Sequence, residues 1–260
     1  MMIACCRDGS ATNFMGGDRM IFIGYSSKDR YSVVEPILFH LKHLGLNVWY
    51  DFHDMFLGDD RYQENFVNGI ESASYVIFII SPHFFESKCA IEELLFAKKL
   101  IEEGRMIFFP VFYDLSPEQL PAQLDWIHNI IYNEVQSDSG TRHVAYQIAE
   151  RVFRDETQKL PYQSLVSIAK KDCFHDSYIN RLIESWNCVD ERSYGVRIGI
   201  LFSLYQYLPL IETEYNVAIQ YIYSLLQLNE TSNHLIYSIF EKCVLAYCSC
   251  QLATNQCNQF

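Results

Sequence analysis

The chain has no G-x-G-x-x-G and no glycine-rich phosphate loop; its 11 glycines are dispersed over 260 residues. Neither fingerprint of a resident nucleotide is present, and no cofactor is expected. No apolar run approaches the roughly 20 residues that a membrane-spanning helix requires. The opening Met1-Met-Ile-Ala-Cys-Cys6 is too short for a signal peptide and lacks its charged start. A cytoplasmic protein without a membrane partner is expected, with residues 1–18 as a flexible tail. Positive charge is also scarce, with 20 Lys and Arg against 32 Asp and Glu and a net charge of −12. The deficit is uneven: 13 against 22 (−9) over residues 1–155, and 7 against 10 (−3) over the rest. Without a basic stripe, nucleic acid is not an expected partner. The nine cysteines match no zinc spacing; Cys243, Cys248 and Cys250 come nearest but have no companion pair or His. They read as reduced thiols, and no metal is expected. The eight histidines are scattered, and His53 and His83 read as ordinary loop residues.

What remains is half apolar and 15% aromatic, ample for a packed core. Met20–Tyr25, Leu46–Tyr50, the β-branched run Tyr75–Ile80 and Met106–Phe112 read as strands, with Trp126–Ile131 as a fifth. Helical patterns over about Tyr31–His43, Arg61–Ala73 and from Ser87 or Lys88 onward lie between them. Strands alternating with such helices specify an α/β fold, a parallel sheet covered on both faces. Ligands of such sheets bind beyond the carboxyl ends of the strands. Here those ends carry Ser26–Arg30, the acidic loop Asp51–Asp60 and Ser81–Ser87.

The helix after Ser87 places a carboxylate among apolar groups. At 100° per residue, Ile91, Leu94, Leu95 and Ile101 form the stripe expected on the sheet. Lys88, Glu92, Lys99 and Glu103 form a charged strip, while Cys89, Phe96 and Leu100 flank Glu93. Adjacent glutamates are thus given different surroundings.

Three separated segments carry a resemblance. Ile21-Phe-Ile-Gly-Tyr-Ser-Ser-Lys-Asp29, then Gly45-Leu-Asn-Val-Trp-Tyr-Asp51 through Gly58, then Ser81-Pro82 with Ser87 and Glu93-Leu94 are similar, in order and spacing, to the three boxes of TIR domains. The resemblance implies a flavodoxin-like five-stranded parallel sheet over about residues 19–157. In enzymatic members it implies cleavage of NAD+, as substrate, at the nicotinamide–ribose bond. Glu93 occupies the catalytic position; Ser26, Ser27, Lys28, Asp51, Phe56, Gly58, Ser81 and Cys89 are the implied substrate contacts. An ionised carboxylate suits that role because the departing base leaves an oxocarbenium-like ribose. Departures from the pattern are Cys89 where Trp is common, Ser26-Ser27 where basic residues occur, and Gly24 where Ser is common.

Beyond Leu160-Pro161 the alternation stops. Gln163–Lys171, Ser177–Trp186, Tyr194–Tyr207, Ile211–Leu228 and Ser232–Ser249 have helical spacing, and an all-α bundle over residues 158–260 is expected. Its tyrosines, Tyr205, Tyr207, Tyr215, Tyr221 and Tyr223, read as amphipathic core and surface. The layout resembles NAD-cleaving TIR proteins of Thoeris-like antiphage systems, which make a linear or cyclic ADP-ribose signal. Self-association through the TIR domain and a phage-derived trigger sensed by the bundle are the partners this implies. A non-catalytic scaffold is the alternative.

Overall fold

A computed structural model describes residues 20–158, 176–211, 213–227 and 234–257. The tail over residues 1–18, the helix expected at 163–171 and the break expected at 229–233 lie outside the described residues. The chain divides into two compact units, Met1–Lys42 with Leu46–Ala145, and His43–Gly45 with Tyr146–Phe260.

The first unit is built on five parallel strands, β1 (Ile21–Gly24), β2 (Val48–Trp49), β3 (Tyr75–Ile80), β4 (Ile107–Tyr113) and β5 (Asn133–Val135). Their order is β2-β1-β3-β4-β5, the flavodoxin-like winding, which reverses direction beside β1 and opens a crevice there. β1 pairs with β2 through Ile21↔Val48 and with β3 through Ile21↔Tyr75 to Gly24↔Phe78. β3 is buried along its whole length, as its unbroken apolar run anticipates for a central parallel strand.

Helices cover the sheet. A wide turn of π type, Arg30–Val34, leads into α1 (Glu35–His43). Pro36 has no N–H to give to an i→i−4 bond, and the Glu35 N–H beside it reaches back to the Arg30 carbonyl. The short α2 (Asp51–Asp54) follows β2, then a π helix over Tyr62–Glu71, α3 (Lys88–Glu102) and α4 (Arg142–Gln158).

Two expectations require correction. Trp126–Ile131 is not a strand: Ala122–Asn129 is 3₁₀. Its buried Leu124 and Ile127 are three residues apart, the 3₁₀ repeat, and Trp126 packs on Phe108 at 5.5 Å between centroids. The fifth strand lies downstream and pairs Val111↔Asn133. The sheet-facing stripe of α3 is also rotated from the expected one. Ala90, Glu93, Leu94, Ala97 and Leu100 are buried, whereas Leu95 is 46% exposed. Two alanines lie on this face with the aromatic core of Phe78, Phe84 and Phe108. Small side chains, more than hydrophobicity, let a helix come close to bulky neighbours.

The second unit takes α4 from Tyr146 onward, with α5 (Ser177–Cys188), α6 (Tyr194–Tyr207), α7 (Glu214–Gln227) and α8 (His234–Cys257). Asp176 caps α5 by accepting from Tyr178 N and Ile179 N. The core joins Ile183, Leu201, Leu204, Ile219, Ile222 and Phe240. Tyr205 and Tyr215 are core residues and Tyr207 is exposed. Arg197 pairs with Glu241 at 2.5 Å and lies 4.3 Å over Trp186. Among the described residues no helix is long and apolar enough to cross a membrane, and no cluster of three His, Cys, Asp or Glu can hold a metal.

Candidate active site

The crevice beside β1 holds a cleft of about 220 Å³. Tyr25 and Ser27 enter it from the end of β1, Trp49 and Asp51 from the end of β2, and Asn65 from the π helix. Ser87, Cys89 and Glu93 come from the start of α3. Ser87 fixes that start, because its Oγ accepts from the Ala90 N–H. Glu93 then falls on the buried face one and a half turns later and is only 9% exposed.

Desolvation dominates the electrostatics of Glu93. Burial, reinforced by the carboxylates of Asp51 and Glu92, pushes its pKa from the ordinary 4.5 up to about 7. Two groups oppose this: the Asn65 amide, whose Nδ2 donates to Glu93 Oε1 at 2.5 Å, and the Arg61 guanidinium. Arg61 also pairs with Glu92 at 3.1 Å on the exposed side of α3. Near neutrality the site thus contains both an acid and a base form of one carboxyl group.

Asp51 is held by its own network. It accepts from the Tyr25 hydroxyl at 2.5 Å and from Phe52 N at 2.7 Å. Burial and the adjoining carboxylate drive the Tyr25 phenol strongly upward, so it stays a proton donor. Arg30 Nε donates to the same hydroxyl at 3.3 Å while its guanidinium covers the Phe52 ring at 4.2 Å. The second carboxylate of the cleft is thereby oriented from two sides.

The implied contacts separate into three groups. Glu93, Ser27, Asp51 and Cys89 meet in the cleft. Ser26 and Ser81 are buried and do not line it; Ser81 Oγ donates to Asp29 Oδ2 at 2.5 Å and accepts from Phe84 N at 3.0 Å, tying the β1 loop to the β3 loop. Lys28, Phe56 and Gly58 lie on the exposed rim and loop. Lys28 pairs with Glu86 at 2.6 Å, and Phe56, 74% exposed, gives its N–H to Asp59 at 2.6 Å. Gly58 turns the loop at φ +105°, a conformation L residues avoid. Cys89 is exposed at the mouth, so no ring covers the cleft from that position. Gly24 is explained by Phe78: a Cβ there would lie 2.2 Å from its Cε1.

Asn65, Tyr25 and Trp49 were not among the candidates from sequence. Asn65 carried a usable signal, since it lies beside Phe66 on the buried face of its helix, the same apolar setting that singled out Glu93. Trp49 stacks on Phe22 at 5.1 Å and floors the cleft.

A parallel sheet wound 2-1-3-4-5, with a desolvated carboxyl group in the cleft beside β1, defines a flavodoxin-like α/β module. The family is the TIR domain: its model matches residues 21–142, so the chain carries a TIR domain in its first half. Over 141 residues the chain is 29% identical to the NAD(+) hydrolase TcpA of Theionarchaea archaeon, covering 53% of this chain and 40% of that protein. The probable 2' cyclic ADP-D-ribose synthase TcpO of Methanobrevibacter olleyae is 33% identical over 53% of this chain and 39% of its own length. The 2' cyclic ADP-D-ribose synthase AbTIR of Acinetobacter baumannii is 25% identical, over 51% and 49%. The chain spans less than half the length of each of these curated relatives.

Proposed function

We propose that the TIR domain cleaves NAD+ between nicotinamide and ribose, with Glu93 as the catalytic carboxylate. The observation that carries this is a glutamate 9% exposed in a strand-end cleft, its charge opposed by burial. In the reaction the C1'–N bond breaks and its electron pair leaves with the pyridinium ring, which becomes neutral nicotinamide. No general acid is needed. The ribose is left cationic, and ionised Glu93 stabilises it in a medium of low dielectric. Capture by water, with loss of a proton, gives linear ADP-ribose; capture by a ribose hydroxyl of the same molecule, also with loss of a proton, gives a cyclic ADP-ribose that contains one water less. The names of the relatives include both outcomes.

A cleft of about 220 Å³ is below the size range of sites that engulf a drug-sized ligand. It suits the nicotinamide riboside end, with the adenylate outside. NAD+ enters as substrate, and no cofactor is required. By its layout, the protein is proposed to work in the cytoplasm in Thoeris-like antiphage defence, its TIR domains self-associating and its helical unit sensing a phage-derived trigger. A scaffold without catalysis is the second reading, drawn from Phe52, Phe56 and Leu57, which are exposed together after β2.

The test is chromatography of NAD+ incubated with concentrated protein, wild type beside Glu93→Ala and Glu92→Ala. Nicotinamide release that survives Glu92→Ala and falls at least about 100-fold in Glu93→Ala supports the reading. Absence of release under every assembly condition transfers the case to the scaffold.

A further inference from the structure

One buried polar group around the cleft has no part in the bond cleavage itself. Asn65 is 4% exposed, on the π helix facing α3. Its Nδ2 lies 2.5 Å from Glu93 Oε1, while its Oδ1 is buried without a hydrogen-bond partner. Neighbouring amides point elsewhere: Gln63 Nε2 donates to Asn68 Oδ1 at 3.2 Å, and Asn68 Nδ2 donates to Glu64 at 3.0 Å.

We propose that Asn65 is the positioning residue of this site, holding the Glu93 carboxylate by one short hydrogen bond and setting the pH at which that carboxylate serves the ribose. The proposal rests on Glu93 being the cation-stabilising group.

The charged neighbours leave this task to the amide. Asp51 on α2 and Glu92 on α3 both oppose ionisation of Glu93. Arg61, ahead of the π helix, favours it but is partly exposed and bonded to Glu92, so solvent screens its effect. Cys89 and Tyr25 complete the titratable lining. Among the described residues Asn65 is the one hydrogen-bond donor to Glu93. A leucine, with the same branching at Cγ, would occupy this site without stranding an unpaired oxygen, so packing alone does not account for the amide.

The experiment compares kcat/KM against pH for wild type and Asn65→Leu, with carbon-13 titration of the Glu93 carboxyl on the same proteins, the resonance assigned by its loss in Glu93→Gln. Removing a donor to the charged form moves both midpoints to higher pH by about one to two units, with activity recovering at alkaline pH. Asn65→Ser, whose hydroxyl is too short to keep the full contact, falls between; it gives the same readout if the leucine variant does not fold. An unmoved carboxyl midpoint overturns the proposal, as does a drop in rate that is equal at every pH. A shifted carboxyl midpoint in a protein that never releases nicotinamide preserves the role of Asn65 on Glu93 and removes NAD+ cleavage instead.

Discussion

The hydroxyl of Tyr25 donates to Asp51 Oδ1 at 2.5 Å, joining the ends of β1 and β2 at the wall of the cleft. The acceptor is a carboxylate, so the bond is of the stronger kind, contributing about 1.5–3 kcal/mol. Tyr25→Phe keeps the ring and removes the donor. A loss of about 1–3 kcal/mol in urea unfolding is expected, with the m-value unchanged. On the proposed function, KM for NAD+ is expected to rise in the same variant, because Asp51 loses one of its two donors. An unchanged midpoint and KM would show that the contact does neither.

Burial of Glu93 costs the fold stability whenever its carboxyl group is ionised. Its folded pKa of about 7 exceeds the ordinary 4.5. Between those values the folded protein binds more protons than the unfolded chain, so stability falls as pH rises from about 4.5 to about 7 and is level above. The difference corresponds to about 3 kcal/mol at most. Glu93→Gln removes the titration. The variant is therefore expected to be more stable than wild type at pH 8, with the gain vanishing near pH 4, as read by thermal or urea unfolding at both pH values. On the proposed mechanism, NAD+ cleavage by wild type is expected to rise through pH 7 as the carboxylate forms, read as kcat/KM against pH.

The parallel α/β sheet was within reach of sequence because β3 is a pure apolar run and helices alternate with the strands, whereas the flavodoxin-like winding was implied only by the resemblance to TIR domains. Ser87 announced the start of α3, and Glu93 was visible as a charge set among apolar neighbours. The orientation of α3 was not, since Ala90 and Ala97 act by being small and a hydrophobic wheel gives them little weight. The pairing of Asn65 with Glu93 escaped because the two are 28 positions apart. Pairings across that distance depend on how two helices meet, which local pattern does not encode. Residues 126–131 misled because spacing by three and a short apolar run look alike when the register is unknown.

Gly24 is held by space and not by backbone conformation. A Cβ would meet Phe78 Cε1 at 2.2 Å and Cδ1 at 2.6 Å, well inside contact distance, with the ring fixed between Phe84 and Phe108. Gly24→Ala is expected to cost about 1–3 kcal/mol through overpacking. Phe78→Leu makes room for the methyl, so the double variant should lose less than the sum of the singles. Additive losses in a double-mutant cycle would show that the two positions are independent.

Ser81 distinguishes a structural contact from a substrate contact. Asp29 is 2% exposed, its pKa raised by burial and pulled back by the Ser81 hydroxyl. Ser81→Ala takes away the donor that favours the charged form of Asp29, and that part of the deficit belongs to the ionised state, while the lost acceptor of the Phe84 N–H costs the same at every pH. A loss of about 1–3 kcal/mol at neutral pH is expected, shrinking as pH falls through the Asp29 titration and both proteins carry the neutral acid. The KM for NAD+ should stay at the wild-type value, because Ser81 faces Asp29 and the Phe84 N–H and does not line the cleft. A raised KM with unchanged stability would instead place Ser81 against the substrate.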